Sequence, residues 1–164
     1  MSEVILTKDQ IEHKLERMAY QILEANSAHD CIVIAGIMKN GYAVAKRIAY
    51  YLGQISSKEI LCCEIKMDKK NPLNSISTSL DQEEYTNKSV TIVDDVLHSG
   101  TTLIYAVRHF LNVPLKQCKT AVLVDRNHKK YPVKADFKGV SLSTSMNENI
   151  SIRVKEEGFT AVLE

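Results

Sequence analysis

The chain has 164 residues, of which 45% are hydrophobic and 25% charged, and its formal net charge at pH 7 is +1. This is the composition of an ordinary globular protein and argues against a disordered or fibrous chain. A nearly balanced charge creates no global field that would draw the protein onto nucleic acid, so any RNA binding would need a local basic patch.

The length suits one domain, and no internal repeat or linker divides the chain, so we expect a single domain over residues 1–164. Its four cysteines stand in apolar runs without paired C-x-x-C spacing, which favours reduced core thiols. The first ten residues contain no apolar segment after a basic start, and no apolar run approaches the ~18 residues that span a bilayer. We therefore expect a cytoplasmic protein without a membrane segment.

In chain order, the first predicted element is a helix over residues 8–25, because Thr7 and Gln10 form a capping-box pattern ahead of apolar residues at helical spacing. A uniformly apolar run at 31–35 then predicts a strand buried on both faces. The spacing of apolar residues from Gly41 to Gly53 predicts a second helix.

The remaining elements follow from the same patterns, with a further helix predicted over 101–111. Strands are predicted at 60–67, 90–93, 120–124, 137–142, 150–154 and 159–163, the last two as a hairpin around Glu156-Glu157-Gly158. Residues 68–88 are polar and aperiodic, which predicts a long mobile loop, either a lid over a site or a plain surface excursion. Alternation of strands and helices predicts an α/β fold: a mainly parallel central sheet flanked by helices, with a small C-terminal strand and hairpin region.

The segment that carries chemistry begins with Asp94 and Asp95 at the end of an apolar strand. It continues as His98-Ser99-Gly100-Thr101-Thr102, a small, hydroxyl-rich stretch just before a helix. Small residues let backbone N–H groups approach a phosphate, hydroxyls add donors, and the helix N-terminus contributes a favourable dipole.

The two carboxylates cannot bind that phosphate, but they can accept hydrogen bonds from a ribose diol and offer oxygen to magnesium held by pyrophosphate. The alternative from the residues alone is that Asp94 and Asp95 cap a turn in which Gly100 takes a positive φ.

The string Val93-Asp94-Asp95-Val96-Leu97-His98-Ser99-Gly100-Thr101-Thr102 resembles the motif with which type I phosphoribosyltransferases bind phosphoribosyl pyrophosphate (PRPP). The resemblance implies that Asp94 and Asp95 contact the ribose hydroxyls. It implies that the loop from His98 to Thr102 holds the 5′-phosphate.

A second match is the stretch Gly36-Ile37-Met38-Lys39-Asn40-Gly41, followed by Ala45-Lys46-Arg47-Ile48-Ala49. It is similar to the family's pyrophosphate loop, which implies that Lys39, Asn40 and Gly41 bind pyrophosphate. Glycines beside a strand-to-helix turn are also common for purely structural reasons.

A third match, Ala121-Val122-Leu123-Val124-Asp125-Arg126 with His128 and a later segment at 131–137, resembles the pyrimidine-operon regulator (PyrR) subgroup. That subgroup pairs uracil phosphoribosyltransferase activity with RNA-binding attenuation. The resemblance implies a pentosyltransferase that forms a nucleoside monophosphate, with uracil as base, from magnesium-bound PRPP. It also implies a homodimer or higher homo-oligomer and no dedicated protein metal site.

Two alternatives stay open: an RNA attenuator that responds to UMP or PRPP, and a nucleotide sensor that has lost turnover. The first would use a basic cluster formed by Arg126, His128, Lys129, Lys130, Lys134 and Lys138, which equally suits a solvated surface. The base itself is expected near residues 124–126 and 142–144, where no motif determines whether uracil, hypoxanthine or guanine is chosen.

Asn40 and Thr101 depart from the subgroup, which usually has arginine at both positions. Neither side chain can give phosphate the bidentate contact of arginine, although Lys39 supplies a neighbouring charge. The predicted loop offers Asp68-Lys69-Lys70 in place of the subgroup's arginine-acidic-acidic element, and either a lid or a solvated face would explain these lysines. No general base is identifiable; His98 is either a proton acceptor or a packed residue.

Overall fold

The computed structural model describes residues 2–143, 145 and 148–164, in nine strands and four helices. The strands are β1 (Glu3–Leu6), β2 (Cys31–Ile37), β3 (Glu59–Lys66), β4 (Ser77–Thr78), β5 (Ser89–Leu97), β6 (Gln117–Asp125), β7 (Phe137–Ser141), β8 (Ile150–Lys155) and β9 (Gly158–Leu163). The helices are α1 (Lys8–Ala25), α2 (Asn40–Ile55), α3 (Gln82–Tyr85) and α4 (Thr101–Phe110).

The main sheet has the strand order β4-β3-β2-β5-β6-β7, and only the short β4 runs antiparallel to its neighbour. From β2 the chain moves through α2 to β3 on one side, and later returns to β5 on the other side of β2. The topological switch point therefore lies between β2 and β5. Ligands of open α/β sheets bind at such a point, outside the carboxyl ends of the strands. The predicted fold class is confirmed.

The main sheet is buried on both faces, as the apolar run in β2 predicts. Ile32 and Ile34 belong to a core shared with α1, α2 and the C-terminal strands. Val33 and Ala35, which alternate with them, belong to a second core shared with α3 and α4. Each parallel strand is thus packed from two sides, which holds its carboxyl end in a defined place.

Residues 68–88 are not a continuous loop, so this part of the prediction is wrong. They contain β4, which pairs with the end of β3, and the single-turn helix α3. Tyr85 of α3 is buried against Phe110, with ring centroids 4.8 Å apart. A helix of one turn is too short to show periodicity, although Asp81 and Glu84 form its capping box and were a readable signal.

A second, three-stranded sheet has the order β1-β9-β8 and is antiparallel throughout. The hairpin of β8 and β9 is confirmed, with Gly158 at φ 136° in its turn. β1 was not predicted, because a four-residue strand with a partner more than 150 residues away leaves little local pattern. This small sheet packs through β8 against α2 and β5. No helix in the described parts of the chain is long and apolar enough to cross a membrane.

Candidate active site

The site lies at the carboxyl edge of β2 and β5, where the chain turns into α2 and α4. Gly41, in the first turn of α2, makes the close approach of these segments possible. A Cβ atom at Gly41 would come within 3.0 Å of the main chain and carboxyl oxygen of Asp94. Only glycine lets the pyrophosphate-loop candidate lie directly beside the two aspartates.

Asp94 and Asp95 lie near the end of β5, Asp94 buried and Asp95 partly exposed. Asp94 Oδ1 accepts a hydrogen bond from the N–H of Asp95 at 2.9 Å, and Asp95 Oδ1 accepts one from the N–H of Val96 at 2.8 Å. These backbone contacts orient both carboxylates. Because each oxygen has two lone pairs, the carboxylates keep acceptor capacity for a ligand that carries hydroxyl groups.

The pKa of Asp94 is raised to about 8, first because burial disfavours the charged form and second because the Asp95 carboxylate lies beside it. The ammonium group of Lys69 opposes this shift from 3.8 Å away. A carboxyl group that lies in a cavity and has a strongly raised pKa is typical of functional sites.

The predicted phosphate loop is a tight turn that leads into α4. Gly100 precedes the helix with φ 88°, a conformation that favours glycine. The hydroxyl groups of Ser99 and Thr101 lie 2.8 Å apart, and the N–H of Thr101 donates to Ser99 Oγ at 3.3 Å. The first N–H groups of an α-helix have no acceptor within it, so hydroxyl and N–H donors converge at this end of α4.

His98 is joined to Arg126 by a 2.9 Å contact between its Nδ1 and the guanidinium Nη1. Because arginine can only donate, Nδ1 accepts, and a neutral ring carries its proton on Nε2. The pKa of His98 is lowered, first by burial and then by the charge of Arg126, so the neutral ring is favoured. His98 therefore offers a donor to its surroundings, which disfavours the proton-acceptor role.

Arg126, which is buried at the end of β6, connects this loop to the C-terminal part of the chain. Its Nη2 donates to the carbonyl oxygens of Ser145, at 3.3 Å, and of Glu148. Its own N–H donates to Leu97 O at 3.1 Å. The sequence named Arg126 in the third family match, in the basic cluster and in the expected base region, but its contacts with His98 and the C-terminal part of the chain had no signal in any motif.

Lys69 approaches the aspartates from the segment after β3. Asp68 organises this segment by accepting hydrogen bonds from the N–H groups of Lys70 and Asn71 and from the side chain of Asn74, at 2.9, 3.3 and 3.1 Å. Lys69 is thereby presented to the cavity. The sequence offered Lys69 and Lys70 as equivalent lid candidates, and the structure brings only Lys69 to the site.

The opposite wall of the cavity is the start of β8. The side-chain amide of Asn40 donates to Asp95 Oδ2 at 3.1 Å and to the carbonyl oxygen of Ile152 at 2.9 Å. This part of the site had no signal in the sequence, because the segment carries no motif.

The site is an open cavity with a volume of about 290 Å³. It is lined by Asn40, Lys69, Asp94, Asp95, Val96, Leu97, His98, Ser99, Gly100, Thr101, Thr102, Asn149, Ile150, Ser151 and Ile152. The predicted ribose and phosphate residues thus come together in one cavity, whereas Lys39 is exposed and does not line it. Of the expected base region, Thr144 lies outside the described residues.

Among the described residues, no group of three or more histidine, cysteine, aspartate or glutamate side chains is placed to hold a metal ion. The cavity offers a carboxylate pair instead. Magnesium keeps most of its water in proteins and is usually held by one or two carboxylates together with substrate phosphates. The pair therefore fits an ion that arrives with a phosphorylated ligand.

The fold and the site define a class of protein. The phosphoribosyl transferase domain family matches residues 2–156, which is nearly the whole chain. The chain belongs to the phosphoribosyltransferase family, as a PyrR-like type I member. This confirms the resemblance drawn from the motifs.

Two relatives carry the name bifunctional protein PyrR. The protein of Pediococcus pentosaceus is 33% identical over 166 residues, covering 95% of this chain and 94% of that protein. The protein of Bacillus cereus is 33% identical over 163 residues, covering 93% of this chain and 91% of that protein.

Solved structures share the fold at lower identity. The hypoxanthine phosphoribosyltransferase of Trypanosoma cruzi superimposes with a TM-score of 0.78 at 15% identity, over 97% of this chain and 95% of that chain. A hypoxanthine-guanine phosphoribosyltransferase of Bacillus anthracis gives a TM-score of 0.75 at 19% identity, over 98% and 96% of the two chains.

Proposed function

We propose that this phosphoribosyltransferase transfers the phosphoribosyl group of PRPP to uracil, forming UMP and pyrophosphate. The observation that carries the proposal is the meeting, in one cavity, of two adjacent aspartates, of which Asp94 is buried, and a hydroxyl-rich turn at a helix N-terminus. A ribose with a 5′-phosphate presents the complementary groups, a diol and an anion. The resemblance to pyrimidine-operon regulators supports uracil as the base.

Each group of PRPP has a candidate partner. Asp94 and Asp95 accept hydrogen bonds from the ribose hydroxyls, and the loop from His98 to Thr102 donates to the 5′-phosphate. The loop of Lys39, Asn40 and Gly41 binds pyrophosphate, and Lys69 faces the same cavity with a positive charge.

Asp94 and Asp95 are the side chains of the cavity that would hold magnesium arriving with PRPP, through one or both carboxyl groups. The ion would neutralise part of the pyrophosphate charge.

In the reaction, the bond from ribose C1 to the pyrophosphate oxygen breaks and a bond from C1 to the base nitrogen forms. The breaking bond's electron pair leaves with pyrophosphate, so that positive charge develops on the ribose, and the proton of the base N–H passes to pyrophosphate or water. The protein contributes mainly by positioning the two substrates and by placing charges where the transition state needs them. No side chain of the cavity is assigned as general base, and His98 offers a hydrogen-bond donor.

The test is a steady-state assay with magnesium, PRPP and each of uracil, hypoxanthine, guanine and xanthine, following nucleotide and pyrophosphate formation. Calorimetric binding of PRPP and UMP accompanies it. Turnover with uracil is expected. Turnover with a purine but not with uracil would mean that the base in the proposal is wrong. Binding of PRPP or UMP without turnover would mean that the protein is a nucleotide sensor.

A second function is favoured by a basic segment beside the phosphate loop. His98, Arg126, His128, Lys129 and Lys130 line an open depression that also includes Ser99 and Asn127. The N–H groups of Lys130 and Tyr131 both donate to the carbonyl oxygen of Ser99, at 2.7 and 3.2 Å. Phosphate bound at Ser99 would thus influence a basic surface, which supports RNA binding that responds to UMP.

Salt-dependent binding tests the RNA function. A fluorescent RNA hairpin is titrated with wild type and with Lys129→Gln/Lys130→Gln at several salt concentrations, with and without UMP. We expect the double variant to lower the slope of log affinity against log salt by about 1.5. The matched control, Lys88→Gln/Lys116→Gln, removes the same charge at the amino end of the sheet. Equal losses in the two variants would contradict a local RNA surface.

A further inference from the structure

We propose that Asn40 is a positioning residue that holds the β8 wall of the cavity against Asp95 and so sets the width of the nucleotide site. The inference rests on the proposed function for its ligand, and on the contacts of Asn40 for its structure.

The two contacts use the whole donor capacity of the side-chain amide. Its Nδ2 donates one proton to Asp95 Oδ2, at 3.1 Å, and the other to Ile152 O, at 2.9 Å. Both partners are acceptors, so the nitrogen of the side-chain amide must face them. If its oxygen and nitrogen were exchanged, the amide oxygen would face two other oxygens without a proton between them. The side chain thus has no donor left for pyrophosphate, which must meet the backbone of this loop instead.

Ile152 lies on β8, the edge strand of the small sheet. Carbonyl groups that point away from an edge strand lack a partner within the sheet, and Asn40 supplies one. Since Asn40 begins α2, whose first turn lies against Asp94 through Gly41, the hydrogen bond joins the small sheet to the carboxyl edge of the main sheet.

The same amide also orients Asp95. One oxygen of this carboxylate accepts from the N–H of Val96 and the other from Asn40, so the plane of the group is held from two sides. A ribose in the cavity would lie between Asp95 and the wall from Asn149 to Ile152. The amide of Asn40 sets the distance between these two surfaces. Preorganised positions of this kind strengthen binding.

The test combines native-state hydrogen exchange of the ligand-free protein with calorimetric binding of UMP. Asn40→Ala removes both donors, and Asn40→Asp removes them while keeping the size of the side chain. In both variants we expect amide protons of residues 150–163 to exchange about tenfold faster, because β8 loses its hydrogen bond to Asn40 and the small sheet opens more easily. We expect the Kd for UMP to rise about tenfold for the same reason.

Gln54→Ala is the matched control, since it truncates an exposed amide on the same helix, away from β8. We expect it to change neither quantity. If exchange is unchanged in both Asn40 variants, Asn40 does not hold the wall and the proposal is overturned whatever the activity of the protein. If exchange quickens while UMP binds all variants and wild type alike, the link is structural only and the positioning role is overturned.

The failure of the proposed function gives a different result. Wild type would then not turn over PRPP with uracil, while the exchange experiment would still report on the contact between Asn40 and β8.

Discussion

The arrangement of individual side chains at the candidate site lowers the stability of the protein without ligand. Asp94 is buried beside a second carboxylate, and its nearest cation, Lys69, is 3.8 Å away. Its pKa, raised to about 8 by burial and by Asp95, lies above the value of an unfolded chain. Ionisation of Asp94 therefore destabilises the folded state as pH rises from about 4 to about 8.

Asp94→Asn should remove this loss of stability. Asparagine can still accept the hydrogen bond from Asp95 N–H but carries no charge, so we expect the variant to be more stable than wild type by about 1–3 kcal/mol at pH 9. The difference should vanish near pH 4, where both proteins are neutral at this position. Urea unfolding at the two pH values measures it, and a difference that does not depend on pH would contradict the assigned cause.

Thr101→Arg tests the departure of this chain from its subgroup. A guanidinium group at the start of α4 would add a charged donor to a cavity that already contains the phosphate loop, and we expect PRPP to bind about tenfold more tightly. Calorimetry with PRPP measures the change. Ser57→Arg adds the same charge at an exposed position outside the cavity lining and serves as the control. A neutral result at Thr101 would mean that the loop presents this residue away from the anion.

At the scale of elements, the segment between β3 and β4 is an organised arm that brings one lysine, Lys69, to the cavity. Asp68 holds the turn, and β4 attaches its far end to β3. Lys69 lines the cavity, whereas its exposed neighbour Lys70 does not.

Lys69→Met should raise the Kd for PRPP about fivefold to tenfold, because it removes a cation from an anion site and keeps the length of the side chain. Lys70→Met is the matched control and should stay within about twofold, since Lys70 does not line the cavity. Binding at low and moderate salt measures both. Equal effects of the two variants would show that the arm acts only through its general charge.

At the scale of the whole molecule, ligand binding should stabilise the fold, because the site is assembled from β2, β5, the arm and β8 and cannot exist in the unfolded chain. With magnesium and PRPP at 100 times the Kd, we expect about 2.7 kcal/mol of additional stability in urea unfolding. Chelating the metal should remove most of this gain.

The double variant Asp94→Asn/Asp95→Asn provides the contrast. It should show almost no gain in stability with magnesium and PRPP, because the ribose loses both acceptors. Undiminished stabilisation in this variant would show that the two aspartates do not hold the ribose. The single domain and the homodimer expected from the sequence stay predictions.

The sequence by itself determined the family and the α/β class, and it selected the segment from Asp94 to Thr102 that lines the cavity. These depend on local information: apolar runs and helical spacing record burial, and the string from Val93 to Thr102 carries its chemistry in consecutive residues. The confirmed strands and helices differ from their predicted bounds mainly at the ends, where local signals are weakest.

Only the tertiary structure decided which side chains complete the cavity. Lys69 and Lys70 are indistinguishable by spacing, and the contact of Asn40 with Ile152 joins residues 112 positions apart. The bond between Arg126 and His98 joins residues 28 positions apart, and β1 pairs with β9 from the opposite end of the chain. Such contacts depend on how the elements pack, and packing leaves no periodic or motif-like trace in the residues that meet.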